Sequence, residues 1–234
     1  MILSHRIFRY YLLLLICIPC QSALSESLGV QWPKPSATFL TGGLPANGPA
    51  GSLPGNTETW RGTAAEAANR WNDAQSVFKL TTSNAIGSGN CKSFGDNNLS
   101  FSSTACSNAF GANTLAVTAG WSSETTLIKA DIIFNSNKTW AIYDGPIRFS
   151  PEDFRRVTMH ELGHAMGLAH TTTSSALMFT SASNTFLPTL DDVNSLEAIY
   201  GGESSNGGGS ISYLLLSILS IRSLRFVRAH KKAG

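Results

Sequence analysis

The chain has 234 residues, of which 14% are charged, and its formal net charge is +2. The basic excess lies at the two ends, because between Glu26 and Glu203 there are 15 acidic residues against 10 basic ones, a net charge of −5. This mildly acidic region argues against a nucleic-acid partner. Its length of about 175 residues suits one domain with its own hydrophobic core.

The first 25 residues have the pattern of a secretory signal peptide. Two arginines precede an apolar run over residues 10–18 that is too short to cross a bilayer. Ala23-Leu24-Ser25 fits a small-x-small cleavage site, and Cys20-Gln21-Ser22 is a competing site. A lipoprotein signal that ends at Cys20 is a further alternative. We therefore expect the domain over residues 26–202 to be secreted or held at the cell surface.

The first half of this domain is rich in predicted strands. A Gly-, Pro- and Asn-rich stretch ending at Asn56 predicts a loop. The capping-box pattern Thr63-Ala64-Ala65-Glu66 then predicts the start of a helix that runs to about Gln75. Composition and turn signals predict strands over residues 37–40, 76–82, 99–102, 115–118 and 130–134.

Cys91 and Cys106 are the cysteines that remain once the signal peptide is removed. An even pair in an exported protein predicts a disulfide bond, and two free thiols are the alternative. Closing a loop of about 15 residues would stabilise the fold by roughly 3 kcal/mol in the chain-entropy model.

Two helices are predicted in the second half. Ser150-Pro151-Glu152-Asp153 has the features of a helix start, with an N-cap serine, proline at the first helical position and acids in the first turn. We expect this helix to run to about Leu168, and a last helix to begin at Thr189 and end at Gly201. Strands followed by these helices indicate an α+β fold in which the first of them packs against a sheet.

The helix before Leu168 carries the pattern H-E-x-x-H-x-x-G-x-x-H. His160 and His164 are four residues apart, so both imidazoles lie on one face of the helix and can share one ion. Gly167 permits the turn that returns His170 as a third ligand. Three protein ligands leave a fourth position for water, as a catalytic zinc requires.

Glu161 lies beside the first of these ligands. A carboxylate in that place can take the proton of the water, so Glu161 is the predicted general base. The two other histidines of the chain, His5 and His230, lie in the terminal tails. The three motif histidines are therefore predicted to form one zinc site.

With this motif the chain resembles the metzincin metallopeptidases, and over residues 29–202 it resembles their matrixin branch. Asp131-Ile132-Ile133-Phe134 and the segment from Leu190 to Gly201 are similar to a strand and the final helix of that family. The resemblance implies a metzincin α+β fold with a twisted, mostly parallel five-stranded sheet and three helices. It implies a zinc endopeptidase that holds one catalytic zinc through the three motif histidines.

The resemblance also assigns roles outside the motif. Met178 would be the methionine of the tight turn below the metal. Asn113-Thr114-Leu115-Ala116 is similar to the edge strand that binds substrate as an added antiparallel strand. Leu115, Ala116 and Phe179, the last of them in the wall beyond Met178, are therefore the predicted substrate-binding residues.

Several positions depart from the matrixin pattern. Val117 and Ile133 stand where histidines would hold a second, structural zinc, so a single zinc is expected. Asn135 and Lys138 replace acids that would bind calcium in the matrixin loop, and the positive charge of a lysine disfavours a calcium ion there. Calcium binding at another position of the chain is an open alternative. We also expect no pro-segment with a zinc-blocking cysteine, since the mature sequence begins close to Trp32.

Residues 203–234 form a predicted tail. A Gly- and Ser-rich linker precedes a mostly apolar stretch over residues 211–221 and then five basic residues. This order resembles the bacterial GlyGly-CTERM sorting tail, which implies transient contact with a membrane and a sorting protease. A retained membrane anchor and an interfacial helix are the alternatives.

The predicted function is that of a secreted, monomeric zinc endopeptidase acting on protein or peptide substrates. A membrane-tethered protease of the same chemistry is one alternative, and a weakly active zinc-binding surface protein is another. The presence of Glu161 argues against the second alternative, because a binding protein has no use for a general base.

Overall fold

The computed structural model describes residues 9–11, 27–46 and 58–201. Most of the predicted signal peptide, most of the loop that ends at Asn56 and the whole predicted tail over residues 203–234 lie outside these ranges. Among the described residues, no helix combines the length and the apolar character that a membrane span needs.

Six of the ten strands in the described residues form one sheet. In chain order the ten are β1 (Arg9–Tyr11), β2 (Ser36–Leu40), β3 (Lys79–Ser83), β4 (Asn97–Ser102), β5 (Thr104–Ala105), β6 (Asn108–Ala109), β7 (Ala116–Ser123), β8 (Thr126–Asn135), β9 (Trp140–Ala141) and β10 (Glu152–Asp153). The order across the main sheet is β1-β7-β8-β4-β2-β3.

The pairing in this sheet is mostly parallel. Strand β2 pairs in parallel with β3 and β4, and β4 pairs in parallel with β8. Strand β7 runs antiparallel to β8, and β1 adds three residues antiparallel to β7 at the sheet edge. The predicted mostly parallel sheet of five strands is thus confirmed, with β1 as a sixth.

The three predicted helices are also present: α1 (Trp60–Ala74), α2 (Phe154–Ala165) and α3 (Leu190–Tyr200). Thr189, the predicted start of the last helix, is the N-cap of α3. It forms a capping box in which the Asp192 carboxylate accepts hydrogen bonds from the Thr189 backbone N–H and hydroxyl. The sheet and the three helices confirm the α+β fold class.

Helix α1 begins before the predicted capping box, so the position of that box was wrong. Thr59 is the N-cap, and its hydroxyl accepts a hydrogen bond from the Gly62 backbone N–H at 3.0 Å. Thr63 is buried and contacts Glu58 Oε2 at 3.3 Å instead. The earlier start brings Trp60 into the core, where its ring packs edge-on against two phenylalanine rings.

Helix α2 begins later than the sequence pattern predicts. Residues 150–151 are not its cap and first helical position, because β10 pairs in parallel with β9 and keeps the following residues extended. Asp153 is the N-cap, and its carboxylate accepts a hydrogen bond from the Arg155 backbone N–H at 3.0 Å. The helix also ends at Ala165 rather than near Leu168.

The main hydrophobic core lies between the sheet and the helices. Ile132 and Phe134 of β8 belong to it, together with the buried faces of α1 and α2. Trp71 of α1 is fully buried, and its Nε1 donates to the Met159 carbonyl of α2 at 2.8 Å. Helix α2 packs against α1 and against β7 and β8, which fixes the position of the segment that carries the motif.

A second, smaller apolar cluster lies outside the main core. It contains Ala119, Trp121 and Ile133, whose positions in β7 and β8 alternate with those of main-core residues. Cys91 and Cys106 pack against it and are joined by the predicted disulfide bond. The bond links the loop before β4 to the turn between β5 and β6.

A buried ion pair lies beside the disulfide. Lys129 Nζ is 3.0 Å from Asp131 Oδ2, and both side chains are fully buried. Asp131 also accepts hydrogen bonds from the backbone N–H groups of Cys91 at 2.8 Å and Asn98 at 2.9 Å. Burial raises the pKa of Asp131, and these contacts partly oppose that shift. The cysteine loop is therefore tied to β8 by polar contacts as well as by the covalent bond.

Replacing both cysteines, Cys91→Ser with Cys106→Ser, should lower the free energy of unfolding by about 3 kcal/mol, because the bond joins residues 15 apart in sequence. Urea unfolding monitored by tryptophan fluorescence measures this change. Zinc content serves as the control and should not change, since the bond packs on the small cluster and not on α2. An unchanged urea midpoint would contradict a stabilising bond.

Candidate metal centre and active-site cleft

Helix α2 and the turn after it bring the three motif histidines together. The Nε2 atom of His170 is 3.2 Å from Nε2 of His160 and 3.2 Å from Nε2 of His164. One ring nitrogen from each residue lies within 4.8 Å of the other two. The spacing of four residues on α2 and the return of the chain at His170 therefore produce the arrangement that the motif predicts.

Hydrogen bonds to backbone carbonyls orient two of the rings. Nδ1 of His160 donates to the Leu177 carbonyl at 2.8 Å, and Nδ1 of His164 donates to the Leu168 carbonyl at 2.7 Å. With the proton on Nδ1, the lone pair of Nε2 points toward the other histidines. These carbonyls thus select the tautomer that a metal ligand needs.

Burial keeps the three imidazoles in their neutral form. It lowers the pKa of His160, lowers the pKa of His164 further, and brings the pKa of His170 to about 4, since desolvation disfavours the charged ring. Neutral imidazoles are the ligand form. Three such nitrogens, with His160 lining an open cleft, fit a zinc ion that keeps one position for a substrate or water.

The turn after α2 depends on Gly167. Its φ is +103°, a conformation that side-chain-bearing residues rarely adopt. The Leu168 backbone N–H donates back to the Gly163 carbonyl at 3.0 Å, which ends the helix and turns the chain toward His170. The glycine of the motif thus has the role that the sequence predicts.

Met178 is buried in a turn and directly follows Leu177, whose carbonyl oxygen accepts the hydrogen bond from His160. A Cβ atom at Gly163, the residue before His164, would collide with the sulfur of Met178. The absence of a side chain at Gly163 therefore makes room for this methionine. Asp192 of α3 holds the turn, because its carboxylate accepts hydrogen bonds from the backbone N–H groups of Leu177 and Met178, each at 3.0 Å. The position of Met178 thus depends on α3.

Glu161 is buried and faces the same cleft as His160. Burial raises the pKa of Glu161 to about 7, and hydrogen bonds from Thr118 oppose this shift. The hydroxyl of Thr118 lies 2.6 Å from Glu161 Oε2. A buried carboxylate beside a group of metal ligands has the placement that a general base requires.

The cleft is a cavity of about 530 Å³ between the rim that precedes β7 and the segment after Met178. The predicted substrate-binding residues Leu115, Ala116 and Phe179 all line it. The described structure thus places them beside His160 and Glu161, although the strand begins at Ala116 and residues 113–115 form the end of a turn before it.

The rim of the cleft is held by the end of β8 and the loop after it. Lys138 Nζ donates to the Ala112 carbonyl at 2.9 Å, and Asn135 Nδ2 donates to the Thr114 carbonyl at 2.9 Å. At these two positions the sequence lacks the acids of the calcium-binding loop in the matrixin pattern. Both side chains instead donate hydrogen bonds to backbone carbonyls of the rim. Val117 and Ile133, at the other departing positions, are buried apolar partners across β7 and β8.

Some residues that support the site were not predicted from the sequence. Thr118 was assigned only to a strand, and Asp192 only to the first turn of a helix. Trp32 Nε1 donates to the Ala165 carbonyl at 2.8 Å, and the Tyr200 hydroxyl donates to the Met166 carbonyl at 2.8 Å, so both hold the end of α2. The signal for Asp192 was the pair Asp191-Asp192 in the first turn of the predicted helix, because an acidic side chain there can cap the helix N-terminus.

A sequence profile of the matrixin family matches residues 55–201, which is more than half of the chain. The chain belongs to the matrixin family. The matched segment includes all three helices, the histidines, Glu161 and Met178. The family implies zinc, and the histidine group described above can hold one metal ion.

Three matrixin relatives are similar to parts of this chain. Interstitial collagenase B of Mus musculus is 46% identical over 55 residues, which cover 21% of this chain and 12% of the relative. Matrix metalloproteinase-18 of Xenopus laevis is 36% identical over 87 residues, which cover 34% of this chain and 16% of the relative. Metalloendoproteinase 5-MMP of Arabidopsis thaliana is 33% identical over 86 residues, which cover 32% of this chain and 24% of the relative. The matches thus span no more than about a quarter of these relatives' length.

Metal analysis of this matrixin should give about one zinc per chain, because the described part of the chain contains one group of three histidines that can bind a metal. His170→Ala should lose most of the zinc, since two ligands bind it far more weakly. Glu161→Ala is the matched control and should keep the metal, because its carboxylate is not a ligand in this arrangement. Inductively coupled plasma mass spectrometry measures both, and two tightly held zinc ions would contradict a single site.

Proposed function

We propose that this matrixin is an exported zinc endopeptidase in which Glu161 is the general base. The observation that carries the proposal is the convergence of three neutral imidazoles beside one buried carboxylate, at the side of a cleft open to substrate. A surface protein that only binds zinc would need the imidazoles but not the carboxylate.

Each residue of the site has a distinct part in this proposal. His160, His164 and His170 would hold the zinc, which when bound supplies a Lewis acid for the scissile carbonyl and a lowered pKa for water. Glu161 would accept a proton from the attacking water at its carboxylate and return that proton to the leaving amine. Met178 would support the ligands from below without contacting the substrate.

The substrate would lie as an extended strand along the rim. Residues 113–116 precede and begin β7, which becomes the edge strand once the proposed signal peptide, with β1 in it, is removed. Their backbone groups then suit pairing with a peptide. An apolar side chain of the peptide would enter the cavity, whose wall includes Leu115, Val157 and Phe179. Arg156 adds little charge there, because its Nε donates to Asp153 Oδ2 at 2.7 Å.

The rim would keep its shape without calcium. Asn135 and Lys138 already give hydrogen bonds to two of its carbonyl oxygens, and the positive charge of the lysine opposes a cation in the same place. We also propose that the protein acts as a monomer, since a single chain supplies all three proposed metal ligands.

Export and sorting rest on the two ends of the sequence. The first 25 residues have the order of a cleavable signal, and the cysteine pair forms a disulfide of the kind found in oxidising compartments. For the C-terminal tail we propose a sorting role through transient contact with a membrane and a processing protease. The apolar stretch over residues 211–221 is short for a stable anchor.

Digestion of an unbiased peptide library should give internal cleavage products, and Glu161→Ala should remove nearly all of this activity while keeping zinc. The physical reason is that no other carboxylate lines the cleft among the described residues. Glu197→Ala, at an exposed position of α3, is the matched control and should cleave like the unchanged protein. Zinc-loaded protein that cleaves no peptide would favour the zinc-binding surface protein.

Intact-mass measurement on protein from its native host should give a C-terminus in or near Gly207-Gly208-Gly209, because a sorting tail is removed in that linker. The peptidase domain should be found without detergent. Recovery of the chain with Ala233-Gly234 attached, and extractable only by detergent, would instead favour the membrane-tethered protease.

A further inference from the structure

We propose that Thr118 is a positioning residue that sets the orientation of the Glu161 carboxylate. Thr118 lies in β7, is buried, and places its Oγ1 2.6 Å from Glu161 Oε2 and 3.1 Å from the Glu161 backbone carbonyl. The short distance to the carboxylate is that of a charge-assisted O–H···O bond. The inference rests on the proposed role of Glu161 as general base.

The Thr118 hydroxyl restricts the conformations of the Glu161 side chain. A glutamate has three rotatable side-chain bonds, and its terminal torsion is broad, so the carboxylate needs a partner to hold one direction. The single proton of the Thr118 hydroxyl occupies Oε2 and leaves the other oxygen of Glu161 to accept a proton from water. Loss of the partner that orients a metal-ligating side chain typically costs about 10- to 100-fold in metal affinity or activity, and we expect an effect of similar size for the partner of a general base.

Thr118 is itself held firmly. It pairs with Ile132 of β8 in the interior of the fold, and its β-branched side chain has few rotamers in a strand. Its hydroxyl connects β7 to α2 at Glu161, the residue whose carboxylate it orients. A valine at position 118 would fill the same space and form the same strand pairing, but it lacks the hydroxyl. A comparison of the two proteins therefore distinguishes a positioning role of Thr118 from a packing role.

The test compares Thr118→Val, which keeps the shape, with Thr118→Ser, which keeps the hydroxyl. Thr118→Val should lower kcat by about 10- to 100-fold with KM and zinc content unchanged, because the metal ligands and the cleft wall are not altered. Thr118→Ser should retain most of kcat. Thr38→Val on β2 is the matched control, since it removes an exposed hydroxyl that contacts only Thr81 in the sheet.

A second readout is independent of activity. Crystal structures of the Thr118→Val protein, with and without zinc, should show the Glu161 carboxylate turned or in several conformers, whereas the unchanged protein should show one. If Thr118→Val does not fold, Thr118→Ala takes its place in both measurements, with the same expected loss and the same disorder.

Three results would overturn the proposal. These are a kcat of Thr118→Val equal to that of the unchanged protein, an equal loss in Thr118→Ser and Thr118→Val, or a single unchanged Glu161 conformer in the variant crystals. Failure of the proposed function looks different, because then the unchanged protein cleaves no peptide. In that event the conformers of Glu161 in the crystals still decide whether Thr118 orients it.

Discussion

The site depends on one constraint, which is that the chain must reverse directly after α2. Only then can His170 place its ring against those of His160 and His164. The reversal needs the positive φ of Gly167, and hydrogen bonds to the last helical carbonyls stabilise it. Two of these come from distant aromatic residues, Trp32 and Tyr200, so both ends of the domain contribute to the geometry of three neighbouring rings.

The support beneath the rings comes from the last helix. The Asp192 carboxylate has two functions. It caps α3 by accepting a hydrogen bond from the Thr189 backbone N–H, and it accepts hydrogen bonds from the backbone N–H groups of Leu177 and Met178. On the far side of the sheet, the disulfide and the Lys129–Asp131 pair stabilise the region of the small cluster that contains Ile133. The two sides of the sheet are therefore stabilised by different interactions.

The sequence predicted the fold class and the ligand set because both rest on short patterns. The histidine motif spans eleven residues, and the sheet follows from the family resemblance. Helix starts were predicted less well. Thr63 and Ser150 both have the chemistry of an N-cap, but burial of Trp60 moved one start, and the pairing of β10 with β9 moved the other. Thr118 could not be found from local patterns, since it meets Glu161 across 43 residues of chain.

This difference in sequence separation has a consequence for the order of folding. The three ligands lie within eleven residues, so the loop closures that bring them together cost little entropy. The contact between Thr118 and Glu161 requires β7 to pack against α2 across 43 residues of chain, which is a slower, long-range event. A folding chain can therefore gather its metal donors before its carboxylate is held in place. Metal binding would then stabilise the folded turn while the rest of the site is still forming.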